Sequence, residues 1–193
     1  MSQRIAEKYS WSRSFRPPVI LLVDARGQPA RCAAVALIDG EIHFTDGPPA
    51  DDIMASLKKR NDNQIGPLSR APSLVSRAPP TRLPCAGALE TLAIALGLST
   101  FLPRLVGRNV ILYGDNTGAE AATRKGSAKQ FDLCRIIHGI WSLAFHGRFG
   151  LWIERVPTDD NIADLPSRED YVLLHKLEAQ WWEPQLAICS LDA

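Results

Sequence analysis

The run Val19-Ile20-Leu21-Leu22-Val23 is unbroken apolar sequence rich in β-branched residues, and Asp24 closes it. A run this short reads as a buried strand carrying a carboxylate at its C-terminal end. Asp24 to Pro29 supplies turn chemistry. Arg31 to Ile38 reads as a second strand, Asp39-Gly40 as a hairpin turn, and Glu41 to Thr45 as an alternating third strand. Three consecutive antiparallel strands are expected.

Downstream the period changes. Asp51 to Lys59 reads as a short helix with Asp51 or Asp52 near its N-cap. Ile65 to Ala88 holds Pro67, Pro72, Pro79, Pro80 and Pro84, with Arg70, Arg77 and Arg82 among serines, and sustains no period. It reads as a loop or disordered insertion. Ala86 to Leu102 reads as a buried helix, because Leu89, Leu92, Ala93, Leu96 and Leu98 leave almost no polar face. Asn109 to Tyr113 is a further apolar strand, ending at Gly114-Asp115-Asn116. A short helix over Thr117 to Lys125 stops at Gly126, and a longer one over Ser127 to His146 is capped by Ser127 and closes near Gly147. Arg148 to Val156 reads as a strand ended by Pro157, Asn161 to Ser167 as a loop or short helix, and Tyr171 to Trp181 as a terminal amphipathic helix. Antiparallel strands followed by strand–helix units predict an α/β domain with a mixed sheet and helices on its faces.

Composition narrows the class. The 193 residues are 46% hydrophobic and 22% charged, enough for one domain with its own core and too apolar for a chain disordered throughout. The net charge of +1 argues against a protein that coats nucleic acid, though not against a nuclease, whose carboxylates offset basic binding residues. No apolar run approaches the roughly 20 residues of a membrane span, and Met1 to Arg16 lacks the apolar core of a secretory signal. Cys32, Cys85, Cys134 and Cys189 are dispersed, without zinc or redox spacing. An intracellular chain (cytoplasm or nucleus) with reduced thiols and no membrane contact is expected.

The candidate chemistry lies in four acids. Asp24 and Asp115 each follow an apolar strand, and Asp164 lies just beyond the last one. Each alone is explained by a turn, a helix cap or a surface loop. Glu90 is different, being the only charged residue between Leu83 and Pro103, on a helix that otherwise reads as buried. A carboxylate there is protonated, paired or bound to a cation. Carboxylates brought together at strand ends repel, and a divalent ion relieves that repulsion; oxygen-only ligands suit magnesium or manganese.

Val23-Asp24-Ala25, Leu89-Glu90 on its helix, Gly114-Asp115-Asn116 and the stretch Asn161-Ile162-Ala163-Asp164-Leu165-Pro166-Ser167-Arg168 resemble the ribonuclease H domain of retroelement reverse transcriptases, in the style of DIRS-like and gypsy-like elements. The resemblance implies a ribonuclease H-like fold, a five-stranded mixed sheet flanked by helices. It would span 19–168, after a polar lead-in (1–18), with the insertion at 65–88 and a C-terminal helix and tail at 169–193. It implies metal-dependent hydrolysis of the RNA strand of RNA–DNA hybrids and, as partner, a reverse transcriptase domain in a longer polyprotein. Two Mg2+ (or Mn2+) ions would be held by Asp24, Glu90, Asp115 and Asp164. Asp24 would bridge both, Glu90 and Asp115 would complete one site, and Asp164 the other.

Arg26 stands where that family has a small or hydroxyl residue, so its guanidinium is expected either to pair with Asp24 or to contact phosphate. Arg124, Lys125 and Arg168 are candidate phosphate contacts, and Asn116 and Thr117 candidate contacts to sugar hydroxyls. Trp141, Trp152, Trp181 and Trp182 are assigned to packing rather than base stacking, and no histidine to catalysis. Two other readings compete: a catalytically decayed domain of the same fold that binds nucleic acid or protein, and, more weakly, a phosphatase using Asp24 as nucleophile, which would want a second aspartate where Arg26 stands.

Overall fold

The computed structural model describes residues 16–55 and 86–186. Most of the Pro/Arg-rich stretch, over 65–85, lies outside them, as does the end of the helix expected over Asp51 to Lys59, of which 51–55 are helical. The first three strands are β1 (Val19–Gly27), β2 (Ala30–Ile38) and β3 (Glu41–Gly47). Then come helix α1 (Ala86–Thr100), a single turn α2 (Leu102–Leu105), β4 (Asn109–Gly114), α3 (Thr117–Lys125), α4 (Phe131–His146) and β5 (Gly150–Arg155). Two short helices, α5 (Asp164–Ser167) and α6 (Val172–Lys176), precede β6 (Gln180–Trp181). The chain is thus α/β, one mixed sheet in the order β5-β4-β1-β2-β3-β6 flanked by helices.

β1, β2 and β3 pair antiparallel, while β4 joins β1, β5 joins β4 and β6 joins β3 in parallel. Asp39 and Gly40 take φ of 55° and 88°, the left-handed pair that a two-residue hairpin demands. The main core lies between one sheet face and helices α1 and α4: Val19, Leu21 and Val23 of β1 meet Leu92, Ala93, Leu96 and Ile136. Helix α1 seats unusually close, since a Cβ on Gly97 would stand 2.8 Å from that of Ala34. The small residues Ala34 and Ala36 make room for it. On the opposite face Val35 and Phe44 pack against Ala163 and Leu174 of the C-terminal segment.

Four expectations change. Six strands replace five, because the helix expected over Tyr171 to Trp181 is short. Glu178 takes a left-handed φ of 53° and the Ala179 N–H bonds the Leu174 carbonyl, so the chain turns and Gln180–Trp181 adds to β3. β1 does not end at Asp24, because its antiparallel pairing with β2 continues to Gly27. Ser127 does not cap α4, which begins at Phe131 after Gln130; its N–H instead bonds the Ala122 carbonyl and closes α3 beside left-handed Gly126. Trp152 is not packed but 66% exposed, on the sheet face away from Leu151 and Ile153, with its Nε1 donating to Glu154 over 2.7 Å. Of the other tryptophans, Trp141 donates to the Thr123 carbonyl and Trp182 to His43, while Trp181 is exposed.

Candidate metal centre

Parallel pairing of β1 with β4 ends at Leu22↔Tyr113, while β2 still holds β1 at Asp24↔Ala33. The sheet therefore opens just where Asp24 stands and β4 runs out into Asp115. Asp115 is free of the capping duty open to it, because Asn116 caps α3, its Oδ1 accepting from the N–H groups of Gly118 and Ala119 at 3.0 Å each. Glu90 comes to the same place from the first turns of α1. One carboxylate oxygen from each of Asp24, Glu90 and Asp115 lies within 4.8 Å of the others.

Electrostatics strain this cluster. Burial pushes the Glu90 carboxyl up to about 8, helped by the charges of Asp24 and Asp115 and opposed by the Ala25 N–H that it accepts. The Asp24 carboxyl is raised chiefly by burial, with Asp115 and Asp164 adding to it; a hydrogen bond from Ser167 and the charge of Arg168 pull the other way. Among the described residues no lysine or arginine forms an ion pair with Glu90 or Asp115. Three half-buried to buried carboxylates, opposed among the described residues only by the Arg168 charge acting on Asp24, fit a hard divalent cation, which would offset their mutual repulsion. The Cys32 thiol lies nearby, donating to the Leu89 carbonyl over 3.6 Å. Burial, and then the Glu90 and Asp24 charges, raise its pKa, so it stays protonated and the donor set stays oxygen-only.

Asp164 lies outside the 4.8 Å group. It opens α5, near enough for its charge to raise the Asp24 carboxyl, and Arg168 Nε holds its Oδ1 at 2.7 Å. The sequence stretch around it is explained residue by residue. Asn161, buried, donates from Nδ2 to the Val23 carbonyl over 2.9 Å and accepts the Ala163 N–H. Ala163 is fully buried in the second core. Ser167, also fully buried, sets its single hydroxyl proton between two acceptors, the Asp164 carbonyl at 2.9 Å and the Asp24 carboxylate.

The expected substrate contacts fare unequally. Arg26 pairs with Glu169 at 3.2 Å and donates to the Pro29 carbonyl; it does not pair with Asp24. Arg124 is committed to the Ile153 carbonyl at 2.8 Å and to Glu120 at 2.9 Å, and Arg168 to Asp164. Asn116 spends its Oδ1 on the cap, while Thr117 and Lys125 are exposed at opposite ends of α3. A network that the sequence did not disclose lies next door: Arg31 and the Tyr171 hydroxyl both bond the buried Asp46 carboxylate. These residues are far apart in the chain, and no local pattern joins them.

No protein-family model matches the chain, and no curated protein does. Among solved structures it is similar to ribonuclease H1 from the halophilic archaeon Halobacterium salinarum NRC-1, at 16% identity and a TM-score of 0.47, over 76% of this chain and 90% of that one. It is also similar to LC11-RNase H1, isolated from compost by a metagenomic approach, at 15% identity and a TM-score of 0.41, over the same shares of the two chains, 76% and 90%. What the described residues themselves establish is an α/β domain with a mixed sheet and an acidic triad, Asp24, Glu90 and Asp115, able to take a metal ion. Among them no helix is long and apolar enough to cross a membrane.

Proposed function

We propose that this chain is a divalent-metal-dependent ribonuclease H of retroelement origin, hydrolysing the RNA strand of RNA–DNA hybrids beside a reverse transcriptase domain inside the cell. The observation that carries the reading is the meeting of Asp24, Glu90 and Asp115, from three separate elements, within 4.8 Å. The stretch from Asn161 to Arg168, whose residues fasten Asp164 next to Asp24, supports it.

In this reading Asp24, Glu90 and Asp115 would hold one Mg2+ or Mn2+ ion, and Asp24 with Asp164 would hold a second. Two such ions supply activation of the attacking water and stabilisation of the leaving oxygen in phosphodiester cleavage. The protein's own part is positioning. Helix α1, seated on Ala34, fixes Glu90; the Ala25 N–H orients its carboxylate; Ser167 and Asn161 fix the depth of Asp24 and the loop bearing Asp164.

The test is a labelled RNA–DNA hybrid incubated with the purified chain and Mg2+ or Mn2+. Cut RNA with intact DNA is expected, abolished by chelator and by Asp115→Ala with the fold retained. An uncut hybrid, or full activity in Asp115→Ala, overturns the reading. Metal-independent hybrid binding without cleavage would instead describe a decayed binding module.

A further inference from the structure

Arg26 and Arg31 face each other across the β1–β2 pair, and one carboxylate spans them. Glu169 Oε2 stands 3.2 Å from Arg26 Nη2, and its Oε1 stands 3.2 Å from Arg31 Nη1. Glu169 is half exposed and sits at a left-handed φ of 64°, an unfavoured conformation for a residue with a Cβ. Arg31 is held from behind, because its Nε and Nη2 bond the buried Asp46 and Nη2 also reaches the Tyr171 hydroxyl. Its Nη1 is left for Glu169. Arg26 is steadied by the Pro29 carbonyl. Two guanidiniums thus bracket an oxyanion that the chain itself supplies from an exposed side chain.

Residues two apart on a strand share a face, so Arg26 lies on the Asp24 face, about 7 Å further along β1. That is close enough for a strand held at the acidic centre to lay a neighbouring backbone phosphate there. Guanidinium forks match phosphate oxygens as well as carboxylates. Arg124 and Arg168 are also paired, with the Ile153 carbonyl and with Asp164.

We infer that Arg26 and Arg31 form a seat for a backbone phosphate of the nucleic acid, and that the Glu169 carboxylate fills this seat until the phosphate displaces it. The inference rests on the nuclease reading for its substrate, and it adds Arg31 and Glu169 to the site. Glu169 then acts as a built-in competitor, weakening non-productive contacts while a correctly placed strand replaces it.

The experiment is binding of a fluorescent RNA–DNA hybrid in EDTA as salt is varied, with cleavage in Mg2+ followed in parallel. Arg26→Ala should weaken binding about threefold to tenfold and lower the salt slope by about 0.9, one phosphate contact. Glu169→Gln should tighten binding about twofold to fivefold at low salt, the worth of an exposed ion pair. In Arg26→Ala/Glu169→Gln that gain should shrink, because the seat is already broken. Arg31 is not truncated, since it also neutralises Asp46. Unchanged or weaker binding in Glu169→Gln, or an unaltered salt slope in Arg26→Ala, overturns the seat, even if the wild type still cuts. Arg26-dependent binding without any cleavage would uphold the seat and overturn the nuclease reading. No binding by the wild type overturns both.

Discussion

The Asn161 amide donates to the carbonyl of Val23 over 2.9 Å, inside the protein and 138 residues away in sequence. This bond fastens the loop that carries Asp164 to β1, one residue before Asp24. Asn161→Ala should leave a buried carbonyl without its donor and cost about 1–3 kcal/mol of stability. Chemical denaturation measures this. Cleavage should fall by more than the unfolded fraction explains, because Asp164 loses its register against Asp24.

The triad should show itself without catalysis. Saturating Mg2+ or Mn2+ should raise the melting temperature of the wild type by mass action. Asp24→Asn and Asp115→Asn should abolish that rise. Without metal, Asp115→Asn should melt no lower than the wild type, since it removes a charge that opposes those of Asp24 and Glu90. Its cleavage rate should drop about a hundredfold or more, given several kcal/mol of stabilisation from the ion it no longer holds. A metal-induced shift that survives in Asp115→Asn would place the ion elsewhere.

Glu90 sets a pH dependence. Its carboxyl is raised from 4.5 to about 8 in the folded, metal-free protein. Between those values the folded state keeps a proton that the unfolded chain releases, so stability is highest below the lower value and declines as pH rises towards the upper one. Asp24, raised by burial first, adds in the same sense. Melting curves without metal should show this decline, and Glu90→Gln should flatten it. Metal binding must displace the proton, so affinity should strengthen with pH up to about 8, with proton release visible by calorimetry in two buffers. Metal affinity independent of pH from 5 to 8 would contradict the arrangement.

Gly97 tests how Glu90 is placed. Its Cβ position lies 2.8 Å from the Ala34 Cβ. Gly97→Ala should gain helix propensity yet still lose about 1–2 kcal/mol net, as overpacked cores do. The same substitution should weaken metal binding, because lifting α1 from β2 moves Glu90 away from Asp24. Equal or greater stability would show that the helix seats more loosely than the geometry states.

The fold was legible where side chains alternate or run apolar in short stretches. β1 to β5 and helices α1 and α3 lie where periodicity, Asp39-Gly40 and Gly126 put them, to within a few residues. What was misread depended on distant partners. β1 outlasts its apolar run because β2 keeps pairing with it, and residues 180–181 become a strand because β3 offers an unpaired edge. Trp152 looked like a core residue by type, but it occupies the sheet's outer strand on the face away from the α1–α4 core.

The sequence by itself determined which residues had to be explained: acids at the ends of apolar runs, and Glu90 alone on an apolar helix, where an unpaired charge is too costly to be idle. Only the tertiary structure decided which of them meet. Asp24, Glu90 and Asp115 converge because β1 and β4 part at Leu22↔Tyr113 while α1 packs tightly over β1 and β2. Asp164 stands beside them on the Asn161 tether, and Arg26 turns to Glu169 instead of Asp24. Side-chain type follows from local sequence, but the distance between charges is set by strand pairing and helix seating, and that distance governs whether carboxylates are bystanders or a cation site.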